Sequence, residues 1–297
     1  MGRVYRAFDT SRQCAVAAKV MRNDLATQPA LIEQFVAEGN LAAAIDHPHV
    51  VHLLDAFQIN RQHVLVFEFV NGVSLFQYMN HFGPLHGSQF RHMSSQLADA
   101  LAAIHQHNVV HGDVKSSNVM LSAIAGNCDV KLIDFGLAHR IAPAPPLPSE
   151  ICGTEHYMAP ELLLGDGSTP ASDQYALGAL FYEMISGEVP FATQSDRKAF
   201  RAQIHDSPPP PSSLRPTGES VPATVDDLIL KMLAKNPSDR LASVSAVQRA
   251  LAAIAPWGWT VPLQQITDAG ITSETGTTIP NHGAVRNRRT ATTVATR

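Results

Sequence analysis

Two short polar segments carry the residues whose types and spacing could do chemistry. Residues 111–118 read HGDVKSSN, and the triplet DFG begins 16 residues after Asn118, at Asp134. Phosphoryl transfer requires a carboxylate to orient the attacking hydroxyl, oxygen ligands for Mg²⁺, and cations against the phosphates. Asp113 could orient the hydroxyl, and Lys115, two residues later, could reach a transferred phosphate. Asn118 and Asp134 offer the hard oxygen ligands that Mg²⁺ prefers.

A further cation and carboxylate occur near the N-terminus. Lys19 ends the strand-like run VAAK at residues 16–19, and Glu38 lies in a helical pattern that begins at Pro29. Each has an ordinary structural explanation when taken alone, because such lysines are common after apolar runs and a single helix glutamate is usually solvated.

The elements that must position these residues change character along the chain. Strand-like runs over residues 1–20, 50–57 and 63–70 accompany one helical pattern over 29–45. Helical periodicity dominates the remainder, as in the apolar stripe over 90–104. We therefore predict an α+β protein of two lobes, with a small β-rich lobe that contains one helix, a larger and mainly helical lobe, and a cleft between them.

Taken in order, these motifs resemble the protein kinase family, and within it the bacterial branch of eukaryotic-like (Hanks-type) Ser/Thr kinases, over roughly residues 1–256. The resemblance implies that Asp113 is the catalytic base or orienting residue, assisted by Lys115. It implies that Lys19 contacts the α- and β-phosphates while paired with Glu38. It also implies ATP as cosubstrate, Mg²⁺ (or Mn²⁺) as metal, and Ser/Thr side chains of proteins as acceptors.

The same resemblance assigns the nucleotide and metal contacts. The residues expected to contact ATP come from both lobes and are Gly2, Val4, Ala17, Lys19, Glu68, Val70, Asn118, Met120 and Asp134. Glu68 and Val70 would hydrogen bond adenine through their backbones, next to Phe67 as gatekeeper. Asn118 and Asp134 would bind the metal.

Further matches lie in the predicted larger lobe. Residues 158–161 (MAPE), preceded by GT at 153–154, resemble the end of an activation segment, the platform on which a peptide substrate docks. The resemblance also implies that Arg240 is the buried partner of Glu161 and that Asp173 is buried.

The chain departs from the family pattern at two places. Of the phosphate-binding pattern GxGxxGxV only the last part is present, as GRV at residues 2–4, so the first strand and first glycines are missing. We favour a start site assigned too late over a natural truncation.

Gly112 stands where the family has an arginine that binds a phosphate on the activation loop. Because Ser149 is the only hydroxyl side chain between Gly136 and Gly153, we expect activity that is independent of loop phosphorylation.

Two other functions stay open from the sequence. HGD at residues 111–113 also resembles the catalytic loop of small-molecule phosphotransferases, the aminoglycoside and choline kinase group. Lys115 together with Thr154, the complete DFG and the peptide platform favour a protein substrate instead. The second alternative is a pseudokinase that acts as a nucleotide-binding scaffold, which the missing glycines favour and the intact polar residues oppose.

Composition narrows the classes of function. Of 297 residues 45% are apolar and 16% charged, as in a globular enzyme, and the formal charge of −4 argues against a nucleic-acid partner. The 3 cysteines lack metal or disulfide spacing. No apolar run would span a bilayer and no secretory signal begins the chain, so we expect a cytoplasmic protein. We expect an N-lobe over 1–70, a C-lobe over 71–256 and a Thr-rich disordered tail over 257–297.

Overall fold

The N-terminal lobe is a four-stranded antiparallel sheet with one helix. In this computed structural model the residues that the structure describes are 2–124, 127–141, 155–192, 196–215 and 220–258. The lobe consists of β1 (Gly2–Asp9), β2 (Cys14–Met21), α1 (Pro29–Ala43), β3 (Leu53–Ile59) and β4 (Gln62–Glu68). Its strand order is β1-β2-β4-β3.

Alternation along β2 decides which side chains face the cleft. Val16 and Ala18 pack with Val64 and Val66 of β4 in a small apolar cluster on one face of the sheet. Because successive side chains of a strand point to opposite faces, Lys19 faces the other side, where α1 packs. Lys19 therefore shares its face with Ala17 and Met21, on the side of the sheet that packs with Phe35 of α1 in the main core.

The C-terminal lobe is mainly helical. Its strands are β5 (Gly72–Ser74), β6 (Val109–Val110), β7 (Val119–Ile124), β8 (Asn127–Leu132) and β9 (His139–Arg140). Its helices are α2 (Leu75–Phe82), α3 (Gly87–Gln106), α4 (Pro160–Leu163), α5 (Pro170–Ser186), α6 (Asp196–His205), α7 (Ala223–Met232) and α8 (Val244–Ala253). This arrangement confirms the predicted two-lobed α+β fold.

The antiparallel pair of β7 and β8 brings the two polar segments together. Val119 pairs with Leu132, so the end of the 111–118 segment and the start of DFG lie at the same end of this hairpin. The loop after α1 is attached at the same place, because the amide of Leu132 donates to the carbonyl of His49 at 2.9 Å and the amide of Val51 donates to the carbonyl of Leu132 at 3.0 Å. The N-lobe helix is thereby held against the strand that leads to Asp134.

Helix α5 is the central scaffold of the larger lobe. It is buried on nearly all sides, as expected for a helix that is apolar all round. The helix begins with a reciprocal capping box between Thr169 and Ser172, and it ends at Gly187, whose φ of 84° is the left-handed conformation that favours glycine. Its two buried carboxylates, Asp173 and Glu183, both accept hydrogen bonds from the 111–118 segment.

The packed core extends to the end of the described residues. The ring of Trp257 lies 5.7 Å from that of Phe90 on α3, so packing continues one residue past the expected domain limit at 256. The rest of the expected Thr-rich tail, from residue 259 onward, lies outside the described residues. None of the helices in the described ranges is both long and apolar enough to cross a membrane.

Candidate active site

Three charged side chains from three elements meet in the cleft. The ammonium nitrogen of Lys19, on β2, lies 2.6 Å from Oε1 of Glu38, on α1, and 2.8 Å from Oδ1 of Asp134. Glu38 is 1% exposed. The contact expected between Lys19 and Glu38 is present, and Asp134 shares the same ammonium group.

Helix α1 is docked against the DFG segment by a further contact. The side-chain amide of Gln34, one turn before Glu38, donates to the carbonyl oxygen of Gly136 at 2.9 Å. Gln34 and Glu38 are four residues apart and so lie on the same face of the helix. Together with the buried ring of Phe35, they fix the rotation of α1 about its axis.

The electrostatics of this cluster favour the charged forms of Lys19 and Asp134, whereas burial raises the pKa of Glu38. Burial by itself would lower the pKa of Lys19, but the charges of Glu38 and Asp134 outweigh it and hold that pKa above its ordinary value. Burial would likewise raise the pKa of Asp134, but the charge and hydrogen bond of Lys19 hold it below its ordinary range. Asp134 also has a left-handed backbone, with φ of 68°, and its Oδ1 accepts the amide of Gly136 at 3.2 Å. Such backbone conformations in non-glycine residues concentrate at functional sites.

Residues 111–118, the expected catalytic loop, contain a second cluster. Oδ2 of Asp113 accepts from Nζ of Lys115 and from Nδ2 of Asn118, each at 2.8 Å. Nδ2 of Asn118 also donates to the Asp113 carbonyl at 2.9 Å. Both side-chain contacts therefore fall on one carboxylate oxygen of Asp113, which leaves Oδ1 as the oxygen for a hydroxyl group.

A backbone hydrogen bond joins the two clusters. The amide of Ile133, the residue before Asp134, donates to the carbonyl oxygen of Asn118 at 2.9 Å. Asn118 and Asp134 are thus neighbours across the mouth of the β7–β8 hairpin. Because Nδ2 of Asn118 points to Asp113, its Oδ1 is the atom that can meet a cation.

Asp173 on α5 binds the backbone at the start of the catalytic loop. Its carboxylate accepts the amides of His111 and Gly112, each at 2.8 Å, and Nε2 of His105, also at 2.8 Å. Burial alone would raise the pKa of Asp173, but the hydrogen bond and charge of His105 hold it below its ordinary value. The ring of His111 lies 5.2 Å from that of Phe135. One carboxylate thus fixes the loop, and the loop in turn packs on the DFG phenylalanine.

Gly112 has the backbone conformation that its position requires. Its φ is 77°, and a Cβ at this position would lie 2.8 Å from the carbonyl oxygen of Leu137. Only glycine adopts this conformation without strain. The same Leu137 carbonyl is in contact with Nδ1 of His139, whose Nε2 contacts the carbonyl of Ser168.

The expected adenine contacts lie along β4 and the segment after it. The amide of Glu68 donates to the carbonyl of His52 at 3.0 Å, so its own carbonyl is the group that could accept from a base. The Glu68 side chain accepts from the amide of His52 and from Nζ of Lys131, each at 2.8 Å. Val70 lies beyond the end of β4 and outside its ladder.

Apolar side chains flank this edge from both lobes. Ala17 of β2 pairs with Phe67 of β4, and Met120 lies partly buried on β7. On β1, Val4 pairs with Lys19 and is 66% exposed. Gly2 packs closely, since a Cβ there would lie 3.1 Å from the carbonyl of Val20. Gly2, Val4, Ala17 and Glu68 thus lie on strands of the N-lobe sheet, and Met120 lies on β7 of the larger lobe.

The donor set fits a divalent metal that also binds phosphate. No group of three or more His, Cys, Asp or Glu side chains that could hold a metal occurs within the described ranges. Mg²⁺ is commonly held by one or two protein carboxylates together with phosphate oxygens and water, and it prefers oxygen ligands. Oδ1 of Asn118 and the carboxylate of Asp134 match that pattern.

The larger lobe contains the expected buried ion pair between Glu161 and Arg240. The two guanidinium nitrogens of Arg240 donate to the two carboxylate oxygens of Glu161 at 2.6 and 2.7 Å. Arg240 also donates to the carbonyls of Ala171 and Ala234. The predicted pairing is confirmed, and it fixes residues 158–161 against α5.

Several expectations fall on residues beyond those described. The activation-segment residues Ser149, Gly153 and Thr154 lie outside the described ranges.

Sequence reasoning missed one buried polar cluster. Ser116 of the catalytic loop contacts Tyr157 and Glu183, all three side chains being buried. The available signal was a hydroxyl residue inside the catalytic motif, but nothing in the sequence indicated its partners, which lie 41 and 67 residues away. Gln34 and His105 were missed for the same reason.

Comparisons with known proteins agree with this geometry. The protein kinase domain family model matches residues 1–251. The chain is 36% identical over 254 residues to the serine/threonine-protein kinase Pkn1 of Myxococcus xanthus, covering 84% of this chain and 36% of Pkn1. It is 32% identical over 241 residues to PrkC of Bacillus subtilis, covering 81% of this chain and 36% of PrkC.

A third relative is the serine/threonine-protein kinase PknB of Mycobacterium tuberculosis, with 34% identity over 247 residues, covering 81% of this chain and 38% of PknB. The chain thus spans 36% to 38% of the length of these three relatives. The family uses ATP and a divalent metal. The match over nearly all described residues, together with the Lys19–Glu38–Asp134 cluster, shows that the chain belongs to the protein kinase family and is related to its bacterial, eukaryotic-like Ser/Thr members.

Proposed function

We propose that this chain transfers the γ-phosphoryl group of ATP to serine or threonine hydroxyls of protein substrates, with Mg²⁺ as the metal. The observation that carries the proposal is the meeting of Lys19, Glu38 and Asp134 beside the hydrogen-bonded Asp113 and Asn118. Its domain is proposed to comprise an N-lobe over 1–70 and a C-lobe that ends close to Trp257.

The substrate-side chemistry is assigned to Asp113. Its Oδ1 accepts the proton of the substrate hydroxyl as that oxygen bonds to the γ-phosphorus, while the bond from phosphorus to the β,γ-bridging oxygen breaks and ADP leaves. Lys115, held at 2.8 Å from the other carboxylate oxygen, stabilises the negative charge of the transferred group. Asn118 keeps the carboxylate in place through its amide nitrogen.

The nucleotide-side chemistry is assigned to Lys19, Asn118 and Asp134. When bound, Mg²⁺ would neutralise charge that develops on the β- and γ-phosphate oxygens. Oδ1 of Asn118 and the carboxylate of Asp134 would hold it. Lys19 contacts the α- and β-phosphates and is aimed by Glu38. The carbonyl of Glu68 and the amide of Val70 bind adenine, and Val4, Ala17 and Met120 enclose it.

We also propose that activity does not require phosphorylation of the activation segment. In the structure, α1 is already docked through Lys19–Glu38 and through Gln34. Gly112 provides no cation for a phosphate, and its backbone is fixed by Asp173 instead. The ring nitrogens of His139 contact backbone carbonyls. The docked position of α1 and the lack of a cation at Gly112 both support an activation segment whose order does not depend on a bound phosphate.

Transfer of radiolabelled phosphate from ATP to a generic protein substrate tests the main proposal. We expect transfer by the wild type, and loss of at least about 100-fold in Asp113→Asn, a typical minimum for a general base. Unchanged transfer in Asp113→Asn and in Lys19→Met would refute the assignment. Transfer to an aminoglycoside or choline but not to protein would favour the small-molecule phosphotransferase, and a thermal shift with Mg·ATP without any transfer would favour the scaffold.

The loop proposal has its own test. Ser149→Ala is expected to retain wild-type transfer. Loss of activity in Ser149→Ala, restored by Ser149→Asp, would refute independence from phosphorylation without touching the assignment of Asp113.

A further inference from the structure

A closed cluster of three buried polar side chains, Ser116, Tyr157 and Glu183, lies beneath the catalytic loop. The hydroxyl of Ser116 donates to Oε1 of Glu183 at 3.1 Å and lies 3.0 Å from the hydroxyl of Tyr157. The Tyr157 hydroxyl donates to Oε2 of Glu183 at 2.5 Å. Ser116 is 1% exposed, Glu183 7% and Tyr157 8%, so solvent does not compete for these contacts.

The three residues belong to three parts of the proposed site. Ser116 directly follows Lys115 and begins the 3-10 turn Ser116–Asn118. Tyr157 ends the turn that leads into the MAPE platform residues. Glu183 lies on α5, ten residues after Asp173.

Side chains of helix α5 therefore hydrogen bond to the catalytic loop at two points. Asp173 holds the amides of His111 and Gly112, and Glu183 holds the hydroxyl of Ser116. The two carboxylates are about 15 Å apart along the helix axis, given a rise of about 1.5 Å per residue. The stretch of loop that contains Asp113 and Lys115 spans the distance between these anchors.

The chemistry of the cluster makes the hydroxyl of Ser116 hard to replace. A buried carboxyl group is costly unless it is hydrogen bonded, and burial raises the pKa of Glu183. Within the described part of the chain, its hydrogen-bond partners are the two hydroxyls and not a cation. Neither partner of Ser116 is local, so its hydroxyl does not serve to cap its own turn.

We propose that Ser116 is a positioning residue, whose buried hydroxyl ties the turn carrying Lys115 and Asn118 to Glu183 on α5 and to Tyr157 beside the substrate platform. This inference rests on the proposed phosphoryl transfer to protein. Ser116 touches no reacting atom. It acts by holding Asp113 and Lys115 in register with the platform that presents the acceptor hydroxyl.

Ser116→Ala tests the proposal, with two matched controls. Ser117→Ala removes the exposed hydroxyl next to it, and Ser94→Ala removes a hydroxyl that is equally buried but bonded within α3, to the carbonyl of Arg91. We expect kcat for a protein substrate to fall about ten-fold in Ser116→Ala, as for loss of one buried hydrogen bond that acts in the transition state, with KM for ATP unchanged. Both controls should keep wild-type kcat.

Tyr157→Phe removes the hydroxyl group that the residue next to the platform contributes to the same cluster. If the cluster acts as a unit, the double variant Ser116→Ala, Tyr157→Phe should lose no more kcat than the worse single variant. Full additivity of the two losses would overturn the proposal, as would a kcat in Ser116→Ala within about two-fold of wild type, close to the scatter of additive effects. Neither result would affect the proposed function, because the wild type would still transfer phosphate.

A readout without catalysis separates the two proposals. Amide hydrogen exchange should accelerate across residues 113–118 in Ser116→Ala and not in Ser94→Ala. If the wild type transfers no phosphate to protein, the proposed function fails, and this exchange experiment still decides whether Ser116 holds the loop. Equal acceleration in both variants would show a general loss of stability and overturn the positioning role.

Discussion

Lys19 and Glu38 form a buried ion pair in which Nζ and Oε1 lie 2.6 Å apart, between a strand and the helix that packs on it. The carboxylate is 1% exposed, so the ammonium group of Lys19 supplies the charge that makes its burial tolerable. The same ammonium group contacts Asp134 at 2.8 Å. Stability of the small lobe and the order of the proposed phosphate site therefore depend on one side chain.

Removing Lys19 should cost both stability and activity, and the two losses can be separated. Lys19→Met leaves Glu38 buried without its cation, so we expect the free energy of unfolding to fall by about 3 kcal/mol. The double variant Lys19→Met, Glu38→Leu replaces the pair with apolar groups and should recover most of that stability without recovering phosphate transfer. Urea denaturation and the transfer assay measure the two effects. Recovery of transfer in the double variant would contradict the role of Lys19.

Arg240 should tolerate no substitution, lysine included. Its two nitrogens meet both oxygens of Glu161 and its side chain is fully buried, so Arg240→Ala should destabilise the protein by about 3–5 kcal/mol. Lysine cannot reproduce the two-point geometry, so Arg240→Lys should recover only a minor part of the loss. Arg249→Ala, on the exposed side of α8, is the control and should stay within about 0.5 kcal/mol of wild type by urea denaturation. Stability close to wild type in Arg240→Lys would contradict this prediction.

Gly112→Ala should be more destabilising than the same change at another left-handed glycine. Gly112 has φ of 77° and a Cβ would meet the Leu137 carbonyl at 2.8 Å, whereas Gly165 has φ of 95° with no atom within 4 Å of the added Cβ. Gly165→Ala should therefore cost only backbone strain, about 1–2 kcal/mol, and Gly112→Ala should cost more because of the added clash. Thermal unfolding of the two variants gives the comparison. Equal losses would show that the backbone near Leu137 yields without cost.

Stability in acid should depend on Asp173. Because its pKa is lower in the folded protein than in the unfolded chain, its contribution is complete above the unfolded value of about 4 and is lost as the pH falls through the folded value. Asp173→Asn cannot ionise and lacks one acceptor for the amides of His111 and Gly112. We expect the wild type to be more stable than this variant at pH 6, with the difference shrinking below about pH 4. Urea denaturation across this range measures it, and a difference that does not change with pH would assign the stabilisation to something other than the charge of Asp173.

The sequence by itself determined the kind of fold and the identity of the reactive groups. The strand-like run VAAK and the helical pattern from Pro29 identified Lys19 and Glu38 as candidates, and the resemblance to protein kinases implied their pairing. The residue types and spacing around Asp113 and Asp134 sufficed to expect their chemistry, because they supply the carboxylates and the amide that phosphoryl transfer requires. These features are local, so periodicity and spacing encode them.

Only the tertiary structure decided how those groups are held. That both contacts of Asp113 fall on Oδ2, that Asp173 receives two loop amides, and that Ser116 reaches Glu183 are consequences of packing between elements far apart in the chain. Hydrogen bonds of this kind depend on ångström-scale placement of α5 beneath the loop, and no residue pattern specifies it. The position of α5 is set by the summed burial of its nearly continuous apolar surface, which is a property of the whole lobe.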